Sequence, residues 1–216
     1  MRYLSLFTLM TFALCPAALA ETNGLDVSFA IFQDKINLDY SGDIRETKFN
    51  GINIGWIQPL SPTILGGFDI GYLEMTQYSN PIPAGQTGSG EYLGLNLEFL
   101  MMNSPSFVLL TRLGYRYSQT RQGQSVTSDW NQGVLILEGT YHFNAQFSTQ
   151  LGVGGIAIDG RESATGTITE NQPFRAENPL LGYAGVQFGL DPDSNIGIQV
   201  DMGSLWGWQL IFRRIF

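Results

Sequence analysis

Cysteine is almost missing from this 216-residue chain: Cys15 is the single one, and it falls in the first twenty residues. Histidine also occurs once, as His142. With no second thiol, neither a disulfide framework nor a cysteine metal site can form within the chain, so stability must come from elsewhere. Charge is scarce as well, with 11 Lys and Arg and 19 Asp and Glu, 14% of all residues, for a formal net charge of −8. That balance excludes the basic face a nucleic acid requires. Past residue 20 no uninterrupted apolar run comes near the ~18 residues of a membrane-spanning helix.

What is present begins with MRYLSLFTLMTFALCPAALA: Arg2, an apolar stretch to Leu14, a break at Pro16, and Ala18-Leu19-Ala20 ahead of polar ETNG. This pattern is that of a secretory signal peptide over residues 1–20, with cleavage expected after Ala20 and a single domain over residues 21–216. Leu14 is too bulky for the position before a lipidated cysteine, so a lipoprotein is not expected. Cleavage would remove Arg2 and Cys15, leaving ten Lys and Arg against nineteen Asp and Glu and no thiol. So little charge makes a poor soluble surface, and the apolar residues must be organised on a period other than the helical one.

That period is two. In TILGGFDIGYL the set Ile64, Gly66, Phe68, Ile70, Tyr72 alternates with Leu65, Gly67, Asp69, Gly71, Leu73, giving one fatty and one small or polar face. YLGLNLEFL, FVLLTRLGYRY and VLILEGTYHF repeat the pattern, and six further segments join them: GLDVSFAIFQ, FNGINIGWI, QFSTQLGVGGIAI, LLGYAGVQFGL, IGIQVDMGS and WGWQLIFRRIF. These ten candidates each have about the 9–11 residues with which a tilted strand crosses a bilayer. Short links at QPLSP, MNSPS, NAQ and DPDSN alternate with longer polar stretches around DYSGDIRET, TQYSNPIPAGQTGSG, SQTRQGQSVTSDWNQ and DGRESATGTITENQPFRAENP. The expected fold is all-β, a closed antiparallel up-and-down transmembrane barrel of ten strands, with eight as the alternative. A β-sandwich or a lipocalin-like barrel would turn its fatty faces inward and charge outward, and the glycine-rich, lysine-poor polar faces suit neither.

Aromatics sit mostly near strand ends, as the interfacial girdles of such barrels do: Trp56, Tyr72, Tyr92, Tyr117, Trp130, Tyr141, Phe143, Trp206 and Trp208. The closing GWQLIFRRIF places Trp208, Leu210, Phe212, Arg214 and Phe216 on one face, a strand that ends at the membrane rim. In these features the chain resembles the small outer-membrane β-barrel class of Gram-negative type, whose members commonly end in a strand with a terminal Phe. The resemblance implies Phe212 and Phe216 as an assembly signal. It also implies the barrel-assembly machinery and periplasmic chaperones as partners, outer-membrane lipid and lipopolysaccharide as surroundings, and export to the cell outer membrane. Arg214 departs from the usual aromatic or apolar residue at that position and is read as snorkelling to the headgroups.

The opposite faces would line the lumen with Asp26, Asp69, Glu98, Arg112, Arg116, Glu138, His142, Gln187, Gln199, Asp201 and Arg213. Both signs of charge imply internal pairing. A hairpin register with Tyr117 opposite Gly133 sets Arg112 opposite Glu138, with Glu98 one diagonal step away, so a lumen cluster of Glu98, Arg112, Glu138 and, nearby, Arg116 is expected. The expected role is an integral outer-membrane barrel with a narrow, largely occluded lumen and polar surface loops, structural or recognition-bearing, with Trp130 and Phe174 as apolar anchors for a surface partner the sequence does not identify. A narrow channel for small solutes is the alternative, and a lipid-modifying enzyme the second alternative. Catalysis is disfavoured, because a lipid A deacylase of this size would show a His-x-Ser pair on one strand face and His142 is followed by Phe143 and Asn144. Asp159, Glu162, Glu170 and Glu177 are scattered loop carboxylates, read as solvated; no cofactor, metal or nucleic acid is expected.

Overall fold

A computed structural model describes residues 24–78, 87–123, 126–165 and 170–216; the signal peptide expected over 1–20 lies outside them. Among the described residues eleven antiparallel strands form one sheet: β1 (Asp26–Tyr40), β2 (Asp43–Ser61), β3 (Ile64–Gln77), β4 (Thr87–Asn103), β5 (Phe107–Gln122), β6 (Val126–His142), β7 (Phe147–Ala164), β8 (Glu170–Ala176), β9 (Leu180–Asp191), β10 (Ser194–Gly203) and β11 (Leu205–Ile215). Strands β1 to β7 pair in sequence order, β7 continues to β9, β10 and β11, and β11 returns to β1 over Asp26↔Ile215 to Ile36↔Leu205, which closes the ring. Ten strands correspond to the alternating segments; β8 is an eleventh that alternation did not announce.

The position of β8 changes the strand number along the barrel axis. β7 meets β9 over residues 147–155 and β8 over residues 159–164, while β8 reaches β1 through Leu38↔Ala176 and Asp39↔Arg175. One short strand thus does at one end what β9, β10 and β11 do at the other. The wall has ten strands at the end carrying the short links (the turn end) and eight at the end carrying the longer ones (the loop end). Residues 177–179 make the step between them. Asn37 donates to Glu177 at 2.9 Å, the Pro179 carbonyl accepts from the Ile156 amide at 2.7 Å, and Ser204 donates to the Asn178 carbonyl.

The outer face follows the same division. Leu135, Leu137 and Tyr141 on β6, Leu151 and Val153 on β7, Ile196, Ile198 and Val200 on β10 and Trp206, Trp208, Leu210 and Phe212 on β11 are all exposed. The eight steps from Leu135 to Phe143, at the usual strand rise and tilt, make a belt about 20 Å tall. Above it the outward positions become polar: Gln33, Lys35, Asn37 and Asp39 on β1, Glu46, Lys48 and Asn50 on β2, Asp129 and Asn131 on β6, Asp159 and Arg161 on β7. The β10–β11 turn stops level with Ile36, so Trp206 and Trp208 stand beside Lys35 and Gln33 at the upper edge of the belt.

Much of what read as loop is strand in this extension. β1 and β2 are joined by two residues, Ser41 and Gly42, both at positive φ (58° and 103°), the conformation that matches the twist of a hairpin. β5 runs to Gln122 and β6 begins at Val126, so most of SQTRQGQSVTSDWNQ belongs to strands. At the turn end the links behave as expected: the Asn144 side chain accepts the Gln146 and Phe147 amides, both at 2.8 Å, and Asp191 accepts the Asp193 amide at 2.9 Å.

Candidate functional site

With the fatty face turned outward, function must reside in the interior or at the loop end, and the interior has two halves of opposite character. The loop half is filled. Leu38, Tyr40, Met75, Trp130, Ile158 and Phe174 are buried in one apolar cluster, with Tyr40–Phe174 ring centroids 5.1 Å apart and Phe49–Trp130 5.5 Å. Phe174 comes from β8 and lies over Gly160, where any Cβ would strike its ring. Around this plug the polar side chains are enclosed as well. Thr47 and Gln77 have no exposed surface, Gln77 donates to the Tyr40 hydroxyl, and Arg45 stacks 4.1 Å over the Tyr40 ring while holding Asp43 at 2.8 Å and Glu162 at 3.9 Å.

Trp130 and Phe174 are therefore core residues, 4% and 2% exposed, and not anchors for a surface partner. Tyr92 is likewise buried and inward, so it and Trp130 leave the girdle. The other seven aromatics of the expected girdle, Trp56, Tyr72, Tyr117, Tyr141, Phe143, Trp206 and Trp208, are all at least a third exposed; Trp56 packs on Phe68 with centroids 5.2 Å apart. Phe212 is outward at the β1–β11 seam opposite Phe29, and the Phe216 backbone exchanges hydrogen bonds with Leu25 at 2.8 and 3.0 Å. Arg214 lies 5.4 Å over the Phe216 ring.

The turn half is polar and hollow. Arg112 stands directly opposite Glu98, with Nε 2.8 Å from Oε1, and its Nη2 is 3.2 Å from Glu138 Oε2. The Tyr183 hydroxyl donates to the same Glu138 oxygen. The β5–β6 register differs from the expected one by two residues: Tyr117 faces Asn131, Arg112 faces Ile136 and Glu138 faces Leu110. A shift of two keeps every side chain on its own face, so Glu138 moves to the diagonal of Arg112, within reach of its long side chain. Arg116 is not part of this cluster. It pairs with Asp69 at 3.1 Å and stacks 4.2 Å over Tyr92, and Asp69 also accepts from Asn96 at 2.7 Å.

On the other side of the lumen, Gln187 donates to Gln150 (2.6 Å), Gln150 to Gln199 (3.0 Å) and Gln199 to Asp201 (2.8 Å). Arg213 holds Asp26 at 3.4 Å near the turn end. Between these groups is a cavity of about 290 Å³, roofed by the apolar plug. Asp34 also lines it, a residue the sequence reading missed because the first strand was expected to end at Gln33; the inward parity of Asp26 and Ser28 carried three pairs further would have found it. His142 faces inward at the turn end with Ser148 opposite it, a neighbour that sequence adjacency did not reveal. Among the described residues no hydrogen bond joins them, and Glu138 on the same face is held by Arg112 and Tyr183. Of the four loop carboxylates, Glu162 is buried against Arg45 and Glu177 accepts from Asn37. Among the described residues no three His, Cys, Asp or Glu are placed to hold a metal ion.

No family model and no curated relative matches the chain. Solved structures do. The outer membrane protease OmpT from Escherichia coli aligns with a TM-score of 0.51 at 10% identity, over 93% of this chain and 99% of that one. An outer-membrane channel from Pseudomonas putida F1 gives 0.50 at 12% identity, over 94% and 99%, and the translocator domain of the autotransporter NalP from Neisseria meningitidis 0.51 at 10%, over 98% and 95%. At such identities the likeness is one of fold: the chain has the architecture of the outer-membrane β-barrel proteins. A protease, a channel and a translocator domain share that architecture, so the role must be argued from the interior described above.

Proposed function

We propose that this protein is an occluded outer-membrane barrel that carries a rigid polar head above the membrane, with a structural or recognition role and without conduction or catalysis. The observation that supports it most directly is the plug: apolar side chains from every strand of the eight-stranded end except β5, completed by Phe174 of β8, fill the interior where a solute path would have to pass. In this reading the belt spans the bilayer, the turn end faces the periplasm and the loop end faces outward. The separation of His142 from any hydrogen-bonded serine, and the engagement of Glu138 by Arg112, favour the non-catalytic reading.

Accessibility of single cysteines tests it, since residues 21–216 contain none. Gln187→Cys in the cavity and Arg161→Cys on the outer face of the head should differ on intact cells: a bulky impermeant maleimide should label the second and leave the first unmodified until the outer membrane is permeabilised. Equal labelling of both on intact cells would mean an open path or the opposite orientation.

A further inference from the structure

The charges of the cavity wall do not balance. Its arginines are all engaged, Arg112 by Glu98 and Glu138, Arg116 by Asp69 and Arg213 by Asp26. Two wall carboxylates, Asp34 and Asp201, have no cationic side chain within 4.0 Å among the described residues. The register sets them at one level on either side of a single glycine: Asp34 pairs with Gly207, and Gly207 with Asp201. At a strand spacing of about 4.8 Å their backbones are about 10 Å apart; residue 207 between them has no side chain, and Gln209 on the same strand hydrogen-bonds Asp201. A Cβ on residue 207 would strike the Gln33 carbonyl and Asp34 Oδ1.

The two carboxylates are provided for differently. Asp201 receives the last donor of the glutamine relay, whose three amides all point their N–H groups toward it. Asp34 receives nothing at Oδ1, which is fully enclosed and accepts no hydrogen bond, although the residue lines the cavity. A buried acceptor left without a donor is costly, and an anion more so. Such a carboxylate, in the wall of a cavity of about 290 Å³ that a second carboxylate also lines, is complementary to a cation that carries its own N–H donors.

The kind of cation follows from the surroundings. Among the described residues no three His, Cys, Asp or Glu are placed to hold a metal ion, so the pair is not a protein cage for a divalent cation. An ammonium group offers three donors in a compact head. Phe32, Leu181 and Leu205 line the same cavity and offer apolar surface to a short hydrocarbon body. We infer that the lumen binds a small organic primary ammonium compound, its head between Asp34 and Asp201 and its body against those three side chains. Entry is from the turn end, since the plug closes the other.

The test uses the folded full-length barrel in detergent micelles, with n-butylammonium as the probe and n-butanol and n-butyrate as neutral and anionic counterparts. Ligand-observed magnetic resonance should show saturable binding of butylammonium and none of the other two. Asp34→Asn and Asp201→Asn should each weaken it about tenfold or more, the loss expected for one charge-assisted hydrogen bond, while Asp26→Asn, whose partner is Arg213, should leave it unchanged. Absence of saturable butylammonium binding to the wild-type barrel, or equal binding of butanol, overturns the inference even if a variant fails to fold. So does undiminished binding by a folded Asp34→Asn barrel.

Discussion

Removing the Arg112 guanidinium should destabilise the barrel more than its position in a hollow lumen suggests. Glu98 and Glu138 are 7% and 6% exposed, and Arg112 is the cation that meets both. Arg112→Ala leaves two buried carboxylates, one of them keeping only the Tyr183 hydroxyl, and breaking a buried pair from one side costs about 3–5 kcal/mol. Glu138→Ala is milder, because Arg112 retains Glu98; loss of one charge-assisted hydrogen bond is about 1.5–3 kcal/mol. In the double variant only Glu98 is left without its cation, so the combined loss should fall short of the sum by about 1–3 kcal/mol. Urea unfolding in lipid vesicles, followed through tryptophan fluorescence and checked for reversibility, supplies the four free energies. Additivity within about 0.5 kcal/mol would refute the coupling, and with it the diagonal contact across β5 and β6.

Phe174→Ala should cost about 3–5 kcal/mol, as for other buried aromatics, and should loosen β8 before the ten-stranded end; amide exchange over residues 171–176 compared with residues 205–215 reads the difference. Phe216→Ala should lower the amount of barrel inserted in cells more than the stability of barrel already folded, because the residue is 70% exposed and its backbone holds the Leu25 pairing; normal membrane levels would contradict this. Asp39, at the loop end of β1 beyond the belt, accepts the Gly42 amide at 2.6 Å and two Arg175 donors at 3.2 Å, and these hold its carboxyl below the usual range, the Gly42 bond most strongly. A carboxyl depressed in the folded state contributes stability above its unfolded value of about 4 and loses it as pH falls through the lower folded value. The stability difference between wild type and Asp39→Asn should therefore be full at pH 6 and vanish toward pH 2.

Alternation carried the fold a long way because a barrel wall has only two faces, and Phe68 against Asp69 or Leu97 against Glu98 states which is which. The same parity places Tyr92 inside already within YLGLNLEFL, and carried past the ends of GLDVSFAIFQ and VLILEGTYHF it places Asp34 and Trp130 inside as well. Ser41-Gly42 is a legible two-residue turn, and treating DYSGDIRET as a loop overlooked it. β8 had less to show. NQPFRA carries Pro173 and only Phe174 and Ala176 as inward apolar residues, and it is a strand because β7 and β1 present free edges above the point where β9 to β11 stop. The two-residue slip in the β5–β6 register was not legible either, since it preserves every face and depends on turn geometry.

Conductance across a planar bilayer tests the sealed lumen most directly. The purified barrel, shown to be folded and inserted, should give no stable current steps, because the plug of Leu38, Tyr40, Met75, Trp130 and Phe174 closes the eight-stranded end. Reproducible open steps from the wild-type protein would contradict the sealed barrel and point instead to a narrow channel.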